Sequence, residues 1–449
     1  MEAVGRNLGL RPRVPLLALL AANAVSMTGN ALTRVAVPWF VLSKGGSAAQ
    51  VGLTLFFETL PLFLGAFFGG VLVDRLGHKR SSVVADLASG TTLALVPLLY
   101  ALGALPFGLL LALVFAGALL DAPGTAARQA LLPEAAEGTG ASLERANAAY
   151  QTVLRLSALV GPVVGGALVA VVGATGVLLV DAATFALSAG VIGALVPGAS
   201  QAQHSERRRR ETKGPRGYAA DLAGGLRFVW RAGPIRTVVG ATTILTLFAS
   251  PIYYVVLPVY LKQEYRQAMG LGLLFSAFGG GAVLGTVGYG FLGKRLSRRT
   301  LYLLGAFGVA LAAAANVALP PLPVILAASA VVGVAFGPLG ALVGVIAGER
   351  TPPELRGRVF GLAAAAVQLA TPVGSLLVGY LLGVASVRAA IAVLAAGCAV
   401  VALAGLFDPA LGKMERLSEE PVQADAAGSS EGLCGLKSET AATGTSDAP

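Results

Sequence analysis

Charge is scarce in this chain of 449 residues: Asp, Glu, Lys and Arg make up 12%, against 55% hydrophobic residues and a mean hydropathy of +0.76. A soluble domain of this length needs about twice that charged share to cover its surface. Cysteine is nearly absent. The two present, Cys398 in the last apolar segment and Cys434 in a polar tail, exclude a disulfide framework. Histidine is equally rare, and His78 and His204 both read as loop residues, which excludes a buried histidine relay. With so few soft ligands, neither a metal nor a cofactor is expected, and the chain does not read as an enzyme.

What it has instead is one apolar run after another, each able to supply the ~20 residues that cross a bilayer. The runs predict an all-α membrane protein with spans near 15–42, 50–73, 82–101, 106–122, 147–171, 175–197, 237–261, 270–292, 300–318, 323–347, 358–383 and 388–407. The first run follows Arg6, Arg11 and Arg13 and imitates a secretory signal, but it is too long for one and reads as an uncleaved helix. With the N-terminus inside, 27 of the 33 lysines and arginines fall on one side. Four lie in the opposite loops, and Arg34 and Arg155 lie inside spans. That bias places both termini in the cytoplasm of a multi-pass protein of the cell membrane.

The predicted organisation is a cytoplasmic N-terminus (1–14), a six-helix bundle (15–197), a basic linker (198–236), a second bundle (237–407) and a disordered cytoplasmic tail (408–449). The linker run His204-Ser-Glu-Arg-Arg-Arg-Arg210 reads as a solvated segment that meets anionic headgroups, and 218–236 as an interfacial helix. No folded domain accompanies the arginines, so nucleic acid is not expected as a partner. The bundles read as repeats: an offset of 220 residues (290 − 70) relates Gly70 to Gly290, Pro38 to Pro258 and Gly52 to Gly272, and a later offset of 210 relates Pro162 to Pro372.

The most specific motif is Gly69-Gly-Val-Leu-Val-Asp-Arg-Leu-Gly-His-Lys-Arg80. It resembles the major facilitator superfamily signature G-x-x-x-D-R-x-G-[RH]-[RK]-[RK] of the loop between helices 2 and 3. The resemblance implies twelve helices in two parallel six-helix repeats, a central cavity, and a cytoplasmic gate. In that gate Gly70 allows close helix contact, Asp74 and Arg75 form a breakable charge link, and Gly77 makes the turn. Gly161-Pro162-Val-Val-Gly165-Gly166 resembles the antiporter motif of the superfamily's exporters, with Ser157 where a further glycine is usual. Stretches containing Asp121, Arg128 and Arg145, and Glu349–Arg358, resemble the branch of enterobactin and macrolide exporters and read as gate-carrying loops. Gly288-Tyr-Gly-Phe-Leu-Gly-Lys294 matches nucleotide-binding patterns, but no strand precedes it and Arg295 replaces the metal-binding hydroxyl, so it reads as a helix end.

Ionisable residues inside spans are costly and mark function by default. Arg34, Glu58, Asp86, Arg155 and Asp181 all fall in the first bundle. Arg34 and Glu58 lie at similar depth, able to pair, and Glu58 is the expected proton carrier; a permanent structural ion pair is the competing reading. Asn23, Asn30 and Arg34 share a helix face assigned to the substrate cavity, and Arg155 either meets substrate or partners Asp86 or Asp121. Asp86 and Asp181, near span ends, read as structural and water-accessible. Trp39, Phe40, Tyr253 and Tyr254 suggest an apolar or aromatic ligand.

The expectation is a monomeric secondary transporter exporting a small amphiphilic substrate, with protons as counter-ion and lipid as surroundings. An importer on the same fold and a non-transporting sensor or assembly partner stay open at this stage.

Overall fold

The computed structural model describes residues 14–137, 139–140, 142–197, 226–293, 295–352, 355–412 and 414. At 62, 63, 65–72, 74, 75 and 357 it describes the backbone alone. Long helices dominate: α1 (Val14–Ser43), α2 (Ala48–Leu76), α3 (His78–Ala101), α4 (Phe107–Glu137) and α5 (Leu143–Leu195). The second half runs from α6 (Gly233–Pro251) through a π-helical turn (Ile252–Val256) into α7 (Leu257–Glu264). It continues with α8 (Ala268–Leu292), α9 (Arg298–Ala315), α10 (Leu322–Arg350), α11 (Arg356–Val384), α12 (Val387–Phe407) and a closing turn, α13 (Pro409–Gly412). Among the described residues, ten helical stretches are long and apolar enough to cross a membrane.

Local chemistry sets the boundaries. Serine hydroxyls cap the helix starts at Ser47, Ser142, Ser297 and Ser386, and at Ser47 the side chain of Gln50 returns the bond to the cap's backbone N–H. Gly77, at φ +82°, separates α2 from α3, and Gly173, at φ +74°, bends the 53-residue α5 into two limbs. Side chains rarely tolerate either conformation, which is why glycine stands at both.

The two termini of the bundle differ. At one, here the Lys44 end, α1 turns into α2 and α7 into α8; at the other, the Gly77 end, α2 turns into α3. The halves meet through α2 against α11 and α5 against α8. A methyl built on Gly52 would fall 2.4 Å from the Ser375 carbonyl oxygen, and one on Gly272 would fall 2.3 Å from that of Pro162. Gly379 lies against Ala49 and Gly166 against Ala268 and Gly272, so the seam is tightest near the Lys44 end. By mid-span the last such approaches are Gly279 against Ala158 and Leu159 and Gly280 against the Leu159 side chain, and Gly288, Gly290 and Gly361 beyond them meet nothing within 4 Å. The structure is closed at the Lys44 end.

Several expectations need correction. The span predicted at 106–122 continues as helix to Glu137, so Asp121 and Arg128 stand on a buried helix rather than a loop. Their charges are offset inside the bundle, which removes the reason for the helix to stop at the first ionised residue. His78 is the first residue of α3 and its ring contacts Glu134 at 3.2 Å, holding the start of α3 to the end of α4. Of the interfacial helix, residues 226–231 are helical with Trp230 exposed. Its earlier part, the His204 run and the predicted tail beyond Met414 lie outside the described residues.

Candidate functional site: a buried polar layer and its cavity

Four helices of the first half carry polar residues at helical spacing on the faces they turn to one another. These are Asn23, Ser26, Asn30 and Thr33 on α1; Ser82, Asp86 and Ser89 on α3; Asp121, Thr125 and Arg128 on α4; and Asp181, Thr184 and Ser188 on the second limb of α5. Together they form a polar layer across the bundle.

At its centre the Arg128 side chain, fully buried, donates through Nη1 to Asp86 Oδ1, itself fully buried. Its Nη2 lies 3.0 Å from Thr125 Oγ1 and 3.4 Å from Asp121 Oδ1. Ser188 Oγ donates to the other Asp86 oxygen at 2.6 Å, and Asn30 Nδ2 donates to Asp121 Oδ2 at 3.1 Å. A buried ion pair is costly unless its other lone pairs and protons are also bonded; here hydroxyl and amide groups from three helices bond the two carboxylates and the Arg128 Nη2, while Arg128 Nε has no protein partner. Asp181 is bonded differently: Thr33 Oγ1 donates to Oδ2 and Thr184 Oγ1 to Oδ1, the latter at 2.9 Å. No cation lies within 4.0 Å of it among the described residues.

Toward the Lys44 end the layer opens into a cavity of about 120 Å³. Asn30, Thr33, Arg34, Glu58, Asp121 and Asp181 supply its polar wall, and Leu93, Val96, Val114 and Phe185 its apolar one. Arg34 and Glu58 thus share one space, as their depths predicted, but no ion pair within 4.0 Å joins them, and Glu58 Oε2 is buried without a hydrogen-bond partner. Tyr254, from the π-helical turn of the second half, packs its ring against Phe275 at 5.4 Å. A π-turn interrupts helix regularity most often where a side chain must be re-aimed for function. Drug-sized ligands need pockets of about 300–1,000 Å³, so this cavity admits water and protons rather than an amphiphilic substrate.

Other predicted residues are distributed as follows. Asn23 is fully buried, with neither amide atom bonded to protein, so it belongs to the packed layer and not to a cavity wall. Asp86 and Asp181 are fully buried, against the expectation of water access, because the α1–α5 and α3–α5 packing covers them. Arg155 does not partner Asp86 or Asp121, a place Arg128 takes. Arg155 is exposed and lies one turn toward the Gly77 end from Ala158 and Leu159, which Gly279 and Gly280 of the second half approach. Gly161 and Gly165 press against Ala31 and Leu32 of α1, while Gly166 reaches across to α8. The motif therefore joins the first half's interior to the inter-half seam. Trp39 and Phe40 are packing residues, Trp39 under the Lys262 ammonium at 4.6 Å and Phe40 edge-on to Tyr100. At Gly70, Asp74 and Arg75 only the backbone is described, and of these four motif residues only Gly77 has a described environment. No cluster of three His, Cys, Asp or Glu suited to a metal occurs among the described residues.

The sequence reading missed Thr33, Thr184 and Ser188. The recurrence of polar residues three or four apart on four helices was the available signal.

A family model described as transmembrane secretion effector matches residues 13–427. The multidrug efflux pump Tap of Mycobacterium tuberculosis is 34% identical over 407 residues, covering 90% of this chain and 95% of that protein. The enterobactin exporter EntS of Escherichia coli is 27% identical over 427 residues, covering 92% and 95%. The solved nucleoside transporter NupG aligns with a TM-score of 0.71 at 11% identity, over 87% of this chain and 98% of that one, a likeness of fold alone.

Proposed function

The chain belongs to the transmembrane secretion effector family, within the major facilitator superfamily, and from that premise we propose that it exports small amphiphilic molecules from the cell in exchange for protons. The observation that supports this reading is the asymmetry of the glycine contacts between the halves: they are tight at the Lys44 end and, among the described residues, end at Gly279 and Gly280 toward the Gly77 end. With twelve crossings and both termini in the cytoplasm, as the Lys and Arg distribution supports, the open end faces the cytoplasm and the protein rests inward-facing.

Substrate enters between the halves from the cytoplasm or inner leaflet and passes the exposed Arg155. The halves then rock about the α2–α11 and α5–α8 contacts, the Asp74–Arg75 latch closes the cytoplasmic side, and the Lys44 end opens. Opening exposes the cavity holding Glu58 to external protons, and a proton on Glu58 removes the negative charge that faces Arg34 across the cavity. The next inward step returns the proton. The chain works as a monomer in the cell membrane, and the names of its relatives, a multidrug pump and a siderophore exporter, support a broad range of apolar or aromatic cargo.

The test is accumulation of a fluorescent cationic dye such as ethidium in cells expressing wild type or Glu58→Gln, with and without a protonophore. The reading expects wild type to lower accumulation, and both the protonophore and the substitution to abolish that. Dye levels unchanged by the protonophore would remove proton coupling. A fully active Glu58→Gln would leave export standing and transfer the carrier role elsewhere.

A further inference from the structure

The cavity holds a second carboxyl group suited to carry a proton, and its surroundings differ from those of its neighbours. Asp86 faces Arg128, and Asp121 faces Arg128 and Asn30, so each negative charge has a buried cation or amide against it. Asp181 has two hydroxyls and no cation. The charged groups around it are Arg34 from α1, Glu58 from α2, Asp86 from α3, and Asp121 and Arg128 from α4; Arg128 is already shared by Asp86 and Asp121. Its own helix contributes only Thr184 and, one turn on, Ser188. A buried carboxylate with no cation in contact has only the Thr33 and Thr184 hydroxyls to offset its charge, and a proton taken from the cavity removes the remainder of that cost.

Placement makes this a site rather than a packing accident. Asp181 lines the same 120 Å³ cavity as Glu58, so protons reaching one reach the other through the same space. Gly29 of α1 is what admits it: a methyl on Gly29 would fall 2.1 Å from both Asp181 Oδ1 and Thr184 Oγ1. The carboxyl group is thereby held directly against α1, a helix packed along the first limb of α5, whose Gly166 and Pro162 form the inter-half seam. Protonation at Asp181 therefore acts where helix α1 meets the element that moves.

We propose that Asp181 is a second proton-binding carboxyl of the export cycle, alongside Glu58, with Thr33 and Thr184 as its positioning residues. This rests on the proton-antiport reading above. No bond to carbon forms or breaks: a proton from water in the cavity adds to a carboxylate oxygen and leaves by the same route.

The experiment reads protonation, not transport, so that failure of the export reading leaves it intact. The full chain in lipid nanodiscs is titrated between pH 5 and 9 by infrared difference spectroscopy, following the carbonyl stretch of protonated carboxyl groups. Wild type is expected to show this band, and Asp181→Asn to lose one carboxyl's share of it. Thr33→Val, which keeps Asp181 and removes one donor, is expected to move that share in frequency, which covers the case where Asp181→Asn does not fold. A band unchanged by Asp181→Asn, or unmoved by Thr33→Val, would overturn the proposal. A depleted Asp181→Asn spectrum beside a wild-type-like Glu58→Gln spectrum would support Asp181 while removing Glu58 as a titrating group.

Discussion

The two halves of this molecule solve the same packing problem with opposite chemistry. In the first, the apolar core is split. One cluster around Leu19, Leu131, Tyr150 and Ile192 lies toward the Gly77 end, and the polar layer of Asp86, Arg128, Asp121 and Asp181 separates it from the apolar residues nearer the Lys44 end. In the second, the core is continuous with those residues, and close contact comes from glycine. Gly281 and Gly285 of α8 press on the backbone of Ala330 and Val334 in α10, and Gly333 and Gly337 press back on α8. Without a hydrophobic force between helices in lipid, small residues and polar links are the two available adhesives. The second half uses the first kind, which tolerates rigid-body movement. The first half adds the second kind, its buried carboxyl, arginine and hydroxyl links, to its own glycine contacts at Gly29, Gly161 and Gly165.

The comparison breaks most severely at Arg128. Replacing it by Met leaves Asp86 buried without its cation, at a cost on the order of 3–5 kcal/mol. The expected result is a large fall in the yield and thermal stability of detergent-purified protein, mostly restored by Asp86→Leu in the same chain. The converse experiment places an acid in the glycine-packed half. Ala306, fully buried and 220 residues beyond Asp86 (306 − 86), has no arginine 220 residues beyond Arg128, where Gly348 stands. Ala306→Asp is expected to destabilise by several kcal/mol, read by the same thermal unfolding, since an unpaired buried carboxyl has nothing to offset it.

At the seam the effect is smaller and changes conformation as well as stability. Gly272→Val must displace the Pro162 carbonyl, costing about 1–3 kcal/mol in overpacking. Disulfide trapping between cysteines placed at Ala49 and Gly379, which touch in the closed Lys44 end, is expected to fall in yield. Unchanged trapping would show that the seam does not need the glycine. The smallest effect is predicted at Arg298, which bonds Glu349 through two contacts of 2.6 and 2.7 Å at the starts and ends of α9 and α10. Glu349 is partly solvated, but Arg298 is buried and also donates to the Met414 carbonyl at 3.3 Å, so Arg298→Ala should lower stability by about 1 kcal/mol.

Much of this was legible in the chain. Apolar runs of bilayer length, helix-capping serines and turn glycines are local signals, and they placed α1, α3, α8, α10 and α12 to within a few residues. The end of α4 was misplaced for a physical reason: a sequence reading charges Arg128 with its full cost, whereas the fold offsets it with Asp86 from a helix 42 residues away. Asp181 was set aside for the same reason, since burial depends on which helix covers a position, not on its distance from a span's end.

The sequence alone determined the class, the family signature, the direction of the Lys and Arg bias and the concentration of intramembrane charge in one half. These follow from composition and from spacing along a single chain. Only the tertiary structure decided which charges meet. It gave Arg128 to Asp86, kept Arg34 and Glu58 apart in a shared cavity, left Arg155 exposed, and set no described cation within 4.0 Å of Asp181. Electrostatic energy depends on distance and dielectric between residues from different helices, and no one-dimensional pattern fixes either.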